Sequence, residues 1–150
     1  MEFLQQIVTN KVLWVPFCAW LLAQVLKLII ASVSFRQLKW SYLITMGGMP
    51  SSHSTLVCAL ATTVGIVEGV GSVMFAISLF LAMIVMYDAT GVRQTVSKQS
   101  VMLNRILDEL LKGKPAFDQR LRELIGHSAV EVTAGAILGI LFSVIVLVSL

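Results

Sequence analysis

VLWVPFCAWLLAQVLKLIIAS, residues 12–32, is an apolar run of 21 residues interrupted by a single charge, Lys27. As an α-helix it rises about 30 Å, the thickness of a bilayer's hydrocarbon core. Three further stretches come close to that length: residues 54–67, 73–87 and 129–150. The middle two are short, and the turn Glu68-Gly-Val-Gly-Ser72 between them makes an antiparallel hairpin. A cleaved signal peptide does not fit residues 12–32, since Lys27 breaks the run and no small-x-small site follows it.

Composition agrees. The 150 residues are 57% hydrophobic and 13% charged, against about 25% charged in an average soluble domain. Mean hydropathy is +0.90. These values exclude disorder, and two cysteines are too few for a disulfide-stapled scaffold. Cys18 and Cys58 both lie in apolar stretches, where a thiol behaves as a small hydrophobe. The expected fold is all-α: one integral membrane domain over residues 1–150, a helical bundle with about four transmembrane helices.

Residues 88–128 have a different pattern. Val92, Val96, Leu103, Ile106, Leu107 and Leu110 return at helical spacing, with polar residues between, and Gly113 and Pro115 end the run. The spacing predicts an amphipathic helix over about 92–112. It either lies on the membrane or packs against the ends of the bundle, and the pattern fits both.

Four spans put residues 33–53 and 88–128 on one side. That side holds Arg36, Lys39, Arg93, Lys98, Arg105, Lys112, Lys114, Arg120 and Arg122, while the other holds Lys11 alone. The positive-inside bias makes the basic side cytoplasmic. The net charge of +3 is therefore matched to anionic membrane lipids as partners. Nucleic acid is not expected, because no basic face is interleaved with aromatic residues.

The only two histidines both fall where a polar segment on that side enters a span. His53 lies in Gly47-Gly-Met-Pro-Ser-Ser-His-Ser54, a sequence built like a helix start: glycines allow close backbone approach, Pro50 suits a first helical position, and serines cap. The amides of Ser51, Ser52 and His53 at such a start suit a phosphate. His127 precedes Glu131 by four residues, so a helix would set both on one face, where the carboxylate can orient the ring. A carboxylate at the head of an apolar span is costly, and a partner one turn back accounts for it.

These residues carry a family resemblance. The chain resembles the divergent branch of the type 2 phosphatidic acid phosphatases, whose superfamily includes the vanadium haloperoxidases and is marked by K-x6-R-P, P-S-G-H and S-R-x5-H-x3-D. Pro50-Ser51-Ser52-His53 resembles the second motif, and His127 to Glu131, running into Val132-Thr-Ala-Gly-Ala-Ile-Leu-Gly139, resembles the end of the third. Further similarity to the branch runs through Ala23-Gln-Val-Leu-Lys27, Tyr87-Asp-Ala-Thr-Gly-Val-Arg93, Lys98-Gln99, Leu103-Asn104 and Gly126-His127. The resemblance implies a metal-independent phosphatase without a cofactor. His127 would be the nucleophile, Glu131 the carboxylate that orients it, and His53 the acid that protonates the leaving alcohol. Lys27 and the amides of the second motif would hold the phosphoryl oxygens.

The chain departs from the superfamily at its arginines. Arg36 is not followed by proline, and Leu121 stands where the third motif has arginine. Arg120 and Arg122 flank that position, and Arg93 lies in the region after His53 where other members place their third motif, though Gln99 occupies the histidine offset from it. Arg93 and Arg122 are taken as the phosphate ligands. Asp88 pairs with one of them or holds a cation.

Plainer readings stand beside these. Lys27 near the inner end of its span suits snorkelling to head groups equally well, Ser51 and Ser52 suit simple caps, and Glu68 suits a solvated turn. Ala134, Gly135, Ala136 and Gly139 suit a close helix-packing face. Two functions follow: a phosphatase acting on a lipid phosphomonoester such as phosphatidate, phosphatidylglycerol phosphate or a polyprenyl phosphate, or an inactive lipid-phosphate-binding or scaffold protein of the same fold. A transporter is disfavoured, since no inverted repeat is visible. Exposed apolar faces leave room for a homodimer.

Overall fold

A computed structural model describes residues 2–36, 48–110 and 128–149, and every regular element among them is helical. The helices are α1 (Glu2–Thr9), α2 (Lys11–Phe35), α3 (Ser52–Val67), α4 (Val73–Thr90), α5 (Val92–Leu110) and α6 (Ala129–Ser149). Three of them, α2, α4 and α6, are long and apolar enough to cross a membrane. At 16 residues, α3 rises only about 24 Å and is the shortest of the four apolar helices. It is nonetheless central, packing against α2, α4 and α6.

Helix ends follow from local chemistry. Asn10 caps α2, its side chain accepting from the amides of Val12 at 2.9 Å and Leu13 at 3.3 Å. The same helix ends at Arg36, which takes a left-handed φ of 51°. Between α3 and α4, Gly69 turns the chain at φ +87°, and Ser72 caps α4 by accepting from the Phe75 amide at 3.1 Å. Glu68, the last residue before this turn, is exposed. The short helix α1 lies ahead of the first apolar run and was not expected, although Phe3, Leu4, Ile7 and Val8 return at helical spacing. It is held by the Trp14 indole, whose N–H donates to the Ile7 carbonyl at 2.9 Å.

Small side chains fill the interior. The largest fully buried ones are Thr55, Thr63, Ser51, Ser54 and Ser143, whereas Phe80, Ile84, Ile137, Leu141 and Ile145 are exposed. A water-soluble bundle reverses that distribution. The arrangement is that of a membrane bundle, in which small residues let helix backbones approach and large apolar ones face lipid.

Each contact of α3 has a register. Against α6 it runs parallel: Gly135 abuts Ser51, Gly139 abuts Thr55, and the Ser143 hydroxyl donates to the Ala59 carbonyl at 3.2 Å. A Cβ at Gly135 or Gly139 would overlap the Ser51 or Thr55 carbonyl. The small-residue run is thus a packing face. Against α4 the pairing is antiparallel, with Phe75 against Gly65 and the Cys58 thiol 3.7 Å from the Met86 sulfur. From α2, the buried residues Val15, Ala19, Ala23 and Lys27 recur every fourth position as one stripe.

Gly139→Val tests the α3–α6 seam. Its branches would enter backbone rather than a yielding side chain, so destabilisation on the order of 3 kcal/mol is expected. In detergent the thermal midpoint should drop well below that of Ile137→Val, which alters an exposed residue of the same helix.

Helix α5 meets the bundle through α4. Its apolar stripe is turned outward: Val96, Leu103, Ile106 and Leu110 are exposed and Leu107 is half-buried, while Asn104 is buried. Packing of that stripe onto the bundle ends, one of the two arrangements open from the sequence, is therefore not what is found. The expected extension to residue 112, with the stop at Gly113 and Pro115, lies outside the described residues.

Candidate active site at the start of α3

The parallel and antiparallel registers bring the C-terminal part of α2, the start of α3, the end of α4 and the start of α6 to one end of the bundle. Lys27 is the fourth member of the buried stripe on α2 and is only 6% exposed. Its stem crosses Gly48, where an added Cβ would lie 3.1 Å from the lysine Cε. Gly48 has a φ of +90°, a backbone conformation that favours glycine there. Lys27 thus does not snorkel to the surface; it lies against the loop that leads into α3.

Ser51 begins that helix. Its hydroxyl accepts from the Ser54 amide at 3.4 Å and from the Ser54 hydroxyl at 3.0 Å, and its own amide donates to the Glu131 carbonyl at 3.0 Å. Both polar groups of Ser51 therefore serve the fold. Pro50 precedes the cap, with α3 starting at Ser52, so it does not occupy the first helical position expected of it. Helical geometry directs the amides of Ser52 and His53 beyond the helix end. Ser52 is buried and the His53 side chain is exposed.

Glu131 approaches from α6. Ser128 opens this helix, its hydroxyl accepting from the Glu131 amide at 3.3 Å, and the pair has the Ser-x-x-Glu spacing of a capping box. That signal is readable in the sequence and explains an acidic residue at this point independently of His127. The half-buried Glu131 carboxylate also lies within electrostatic reach of the Lys27 ammonium. Opposite charges from α2 and α6 thus face each other beside the first turn of α3, which offsets the cost of placing either in an apolar bundle.

Depth follows from the same positions. Helix α2 continues eight residues past Lys27 to Phe35, or about 12 Å. With α3 also about 6 Å shorter than a 30 Å hydrocarbon core, the cluster sits below the point where α2 ends.

Of the residues assigned to the site from sequence, Lys27, Ser51, Ser52, His53 and Glu131 are brought together. Asp88, half-buried in the last turn of α4, is carried by the antiparallel register to the level of the first turn of α3. Arg93 lies in the first turn of α5, and its side chain is outside the description. His127 and Arg122 lie outside the described residues; His127 immediately precedes Ser128 in the chain. One contributor was not singled out as a site residue from sequence: Gly48, whose role depends on where Lys27 lies. Among the described residues no three His, Cys, Asp or Glu side chains are grouped to hold a metal ion.

Comparison with known proteins fits this arrangement. Residues 8–142 match the family model described as the divergent PAP2 family. The uncharacterized membrane protein YuiD of Bacillus subtilis (strain 168) is 35% identical over 151 residues, covering 93% of this chain and 96% of the relative. No solved structure matches. A family match over most of its length and a relative 35% identical along nearly all of it place the chain in the divergent PAP2 family.

Proposed function

We propose that the protein is a membrane phosphatase that hydrolyses the phosphomonoester of a lipid, with its site on the cytoplasmic face. The observation that carries this reading is the burial of Lys27 against Gly48, beside the start of α3 and within reach of Glu131. An intramembrane cation at a helix N-terminus is placed to receive an anion, and a site among lipid-facing spans receives it most readily on a lipid.

In this reading the His127 imidazole attacks phosphorus, an N–P bond forms as the P–O bond to the lipid breaks, and His53 gives its proton to the departing alkoxide. Water then attacks the phosphohistidine, with His53 accepting its proton, and inorganic phosphate leaves. Glu131 holds the imidazole and the imidazolium that follows. Lys27, Arg93, Arg122 and the amides of Ser52 and His53 bear the charge on the equatorial oxygens, since positioning and electrostatics dominate phosphoryl transfer. A phosphohistidine needs no metal. The protein in detergent should therefore release phosphate from a phosphorylated lipid with chelator present, and vanadate should inhibit it.

A second reading is a lipid-phosphate-binding protein without turnover, favoured by Leu121 at the arginine position and by Glu131 in place of aspartate. It predicts saturable binding of the same lipids with no phosphate release.

A further inference from the structure

We propose that α5 is sunk into the membrane interface on its side, with its apolar stripe against lipid acyl chains and its polar stripe against the protein. In most surface helices of a folded protein the apolar face is the covered one. Here Met102 is 65% and Leu110 71% exposed, and Leu103 and Ile106 are also exposed, whereas Asn104 between them is 8% exposed. At 100° per residue, Val96, Leu103, Ile106 and Leu110 share one side with Met102 at its edge. The helical register sets half-buried Ser100 and buried Asn104 together on the neighbouring side.

The bilayer is the occupant because this stripe continues a lipid-facing surface. Helix α4 exposes Ile77, Phe80, Ile84 and Tyr87, the last 76% exposed at the depth where aromatic residues meet the membrane boundary. Only Gly91 separates α4 from α5, and the path stays hydrogen-bonded across it: the Gly91 amide donates to the Tyr87 carbonyl at 2.8 Å, and the Thr95 amide to the Gly91 carbonyl at 3.1 Å. A second copy is a poorer fit, because helices paired within lipid approach through Gly, Ala or Ser, and this face presents Met, Leu and Ile. The consequence is a wall beside the site. Because α4 brings Asp88 level with the start of α3, α5 begins at the height of the cluster, with Asn104 turned away from the lipid-facing side.

The test places one cysteine at Ile106 or at Arg105, an exposed residue outside the apolar stripe, in full-length protein carrying Cys18→Ser and reconstituted in phosphatidylcholine–phosphatidylglycerol nanodiscs. Cys58 is buried and stays, with unlabelled background measured on the parent. A polarity-sensitive fluorophore at Ile106 should be quenched at least about 3-fold more by acyl-chain nitroxides than by aqueous iodide, and at Arg105 the order should reverse. Iodide quenching at Ile106 equal to that at Arg105 would overturn the proposal by making the stripe water-facing. Shielding of Ile106 from both quenchers, relieved when the protein is diluted into excess lipid, would overturn it in favour of a second copy. Should the cysteine variants fail to fold, Ile106→Trp with brominated acyl chains gives the same contrast against Arg105→Trp.

Discussion

His127→Ala should lower phosphate release from a lipid phosphomonoester by about 10³-fold or more, because in the proposed mechanism it removes the atom that forms the covalent intermediate. What remains is the contribution of charges and amides that hold the phosphoryl group without a nucleophile. His53→Ala should cost about 10²-fold to 10⁴-fold, in a way that depends on the leaving group. An alkoxide leaves poorly without a proton, whereas p-nitrophenolate leaves well. With p-nitrophenyl phosphate, His53→Ala should regain a stoichiometric burst of p-nitrophenolate, with turnover still held back at hydrolysis of the phosphohistidine, and His127→Ala should show no burst. Absence of the burst in His53→Ala would remove the acid assignment from His53, and release that persists in His127→Ala would remove the nucleophile.

Lys27→Met is expected to reduce kcat/KM about 10²-fold to 10³-fold, the usual size of losing one preorganised charge donor to a developing oxyanion. It should also destabilise the bundle, since the Glu131 carboxylate would lose its counter-charge in a low-dielectric surround. The double variant Lys27→Met with Glu131→Gln separates the two effects. Neutralising both partners should restore most of the thermal stability lost by Lys27→Met alone, while activity stays well below that of Glu131→Gln alone, the control for losing the carboxylate that orients His127. Activity that recovers with stability would mean that Lys27 serves only to hold the helices together.

Much of this arrangement can be read in the chain before any coordinates. Apolar length over residues 12–32 and 129–150, with so little charge, leaves a membrane bundle as the only economical fold. The run from Ala134 to Gly139 reads as a packing face and is one, because close helix contact in lipid depends on residue size alone. The placement of Lys27 was less legible. A lysine near the end of a span suits a snorkelling side chain and a buried one equally, and only rotation of the helix decides between them. The deciding signal was Ala19 and Ala23 at four-residue spacing, which mark the face of α2 that other helices approach and which Lys27 extends.

Other features depended on competition between neighbours. Pro50 suits a first helical position, but Ser51 also caps, and the cap with its bond to the Glu131 carbonyl sets the start two residues later than the proline would. Glu131 had two sequence signals, the histidine four residues before it and the serine three before it; the Ser128 contact is the one seen among the described residues. For α5, periodicity identifies the stripe correctly but carries no information about which solvent it faces. The burial of Asn104 beside exposed Leu103 is what orients the helix, and it depends on packing that periodicity does not encode.

The most direct measurement is an experimental structure of the protein with vanadate in lipid nanodiscs. The account predicts a vanadate between Lys27 and the Ser52 and His53 amides, with the His127 ring on vanadium opposite an oxygen that faces His53. Vanadate bound away from Lys27, or the two imidazoles pointing apart with no shared oxyanion between them, would contradict it.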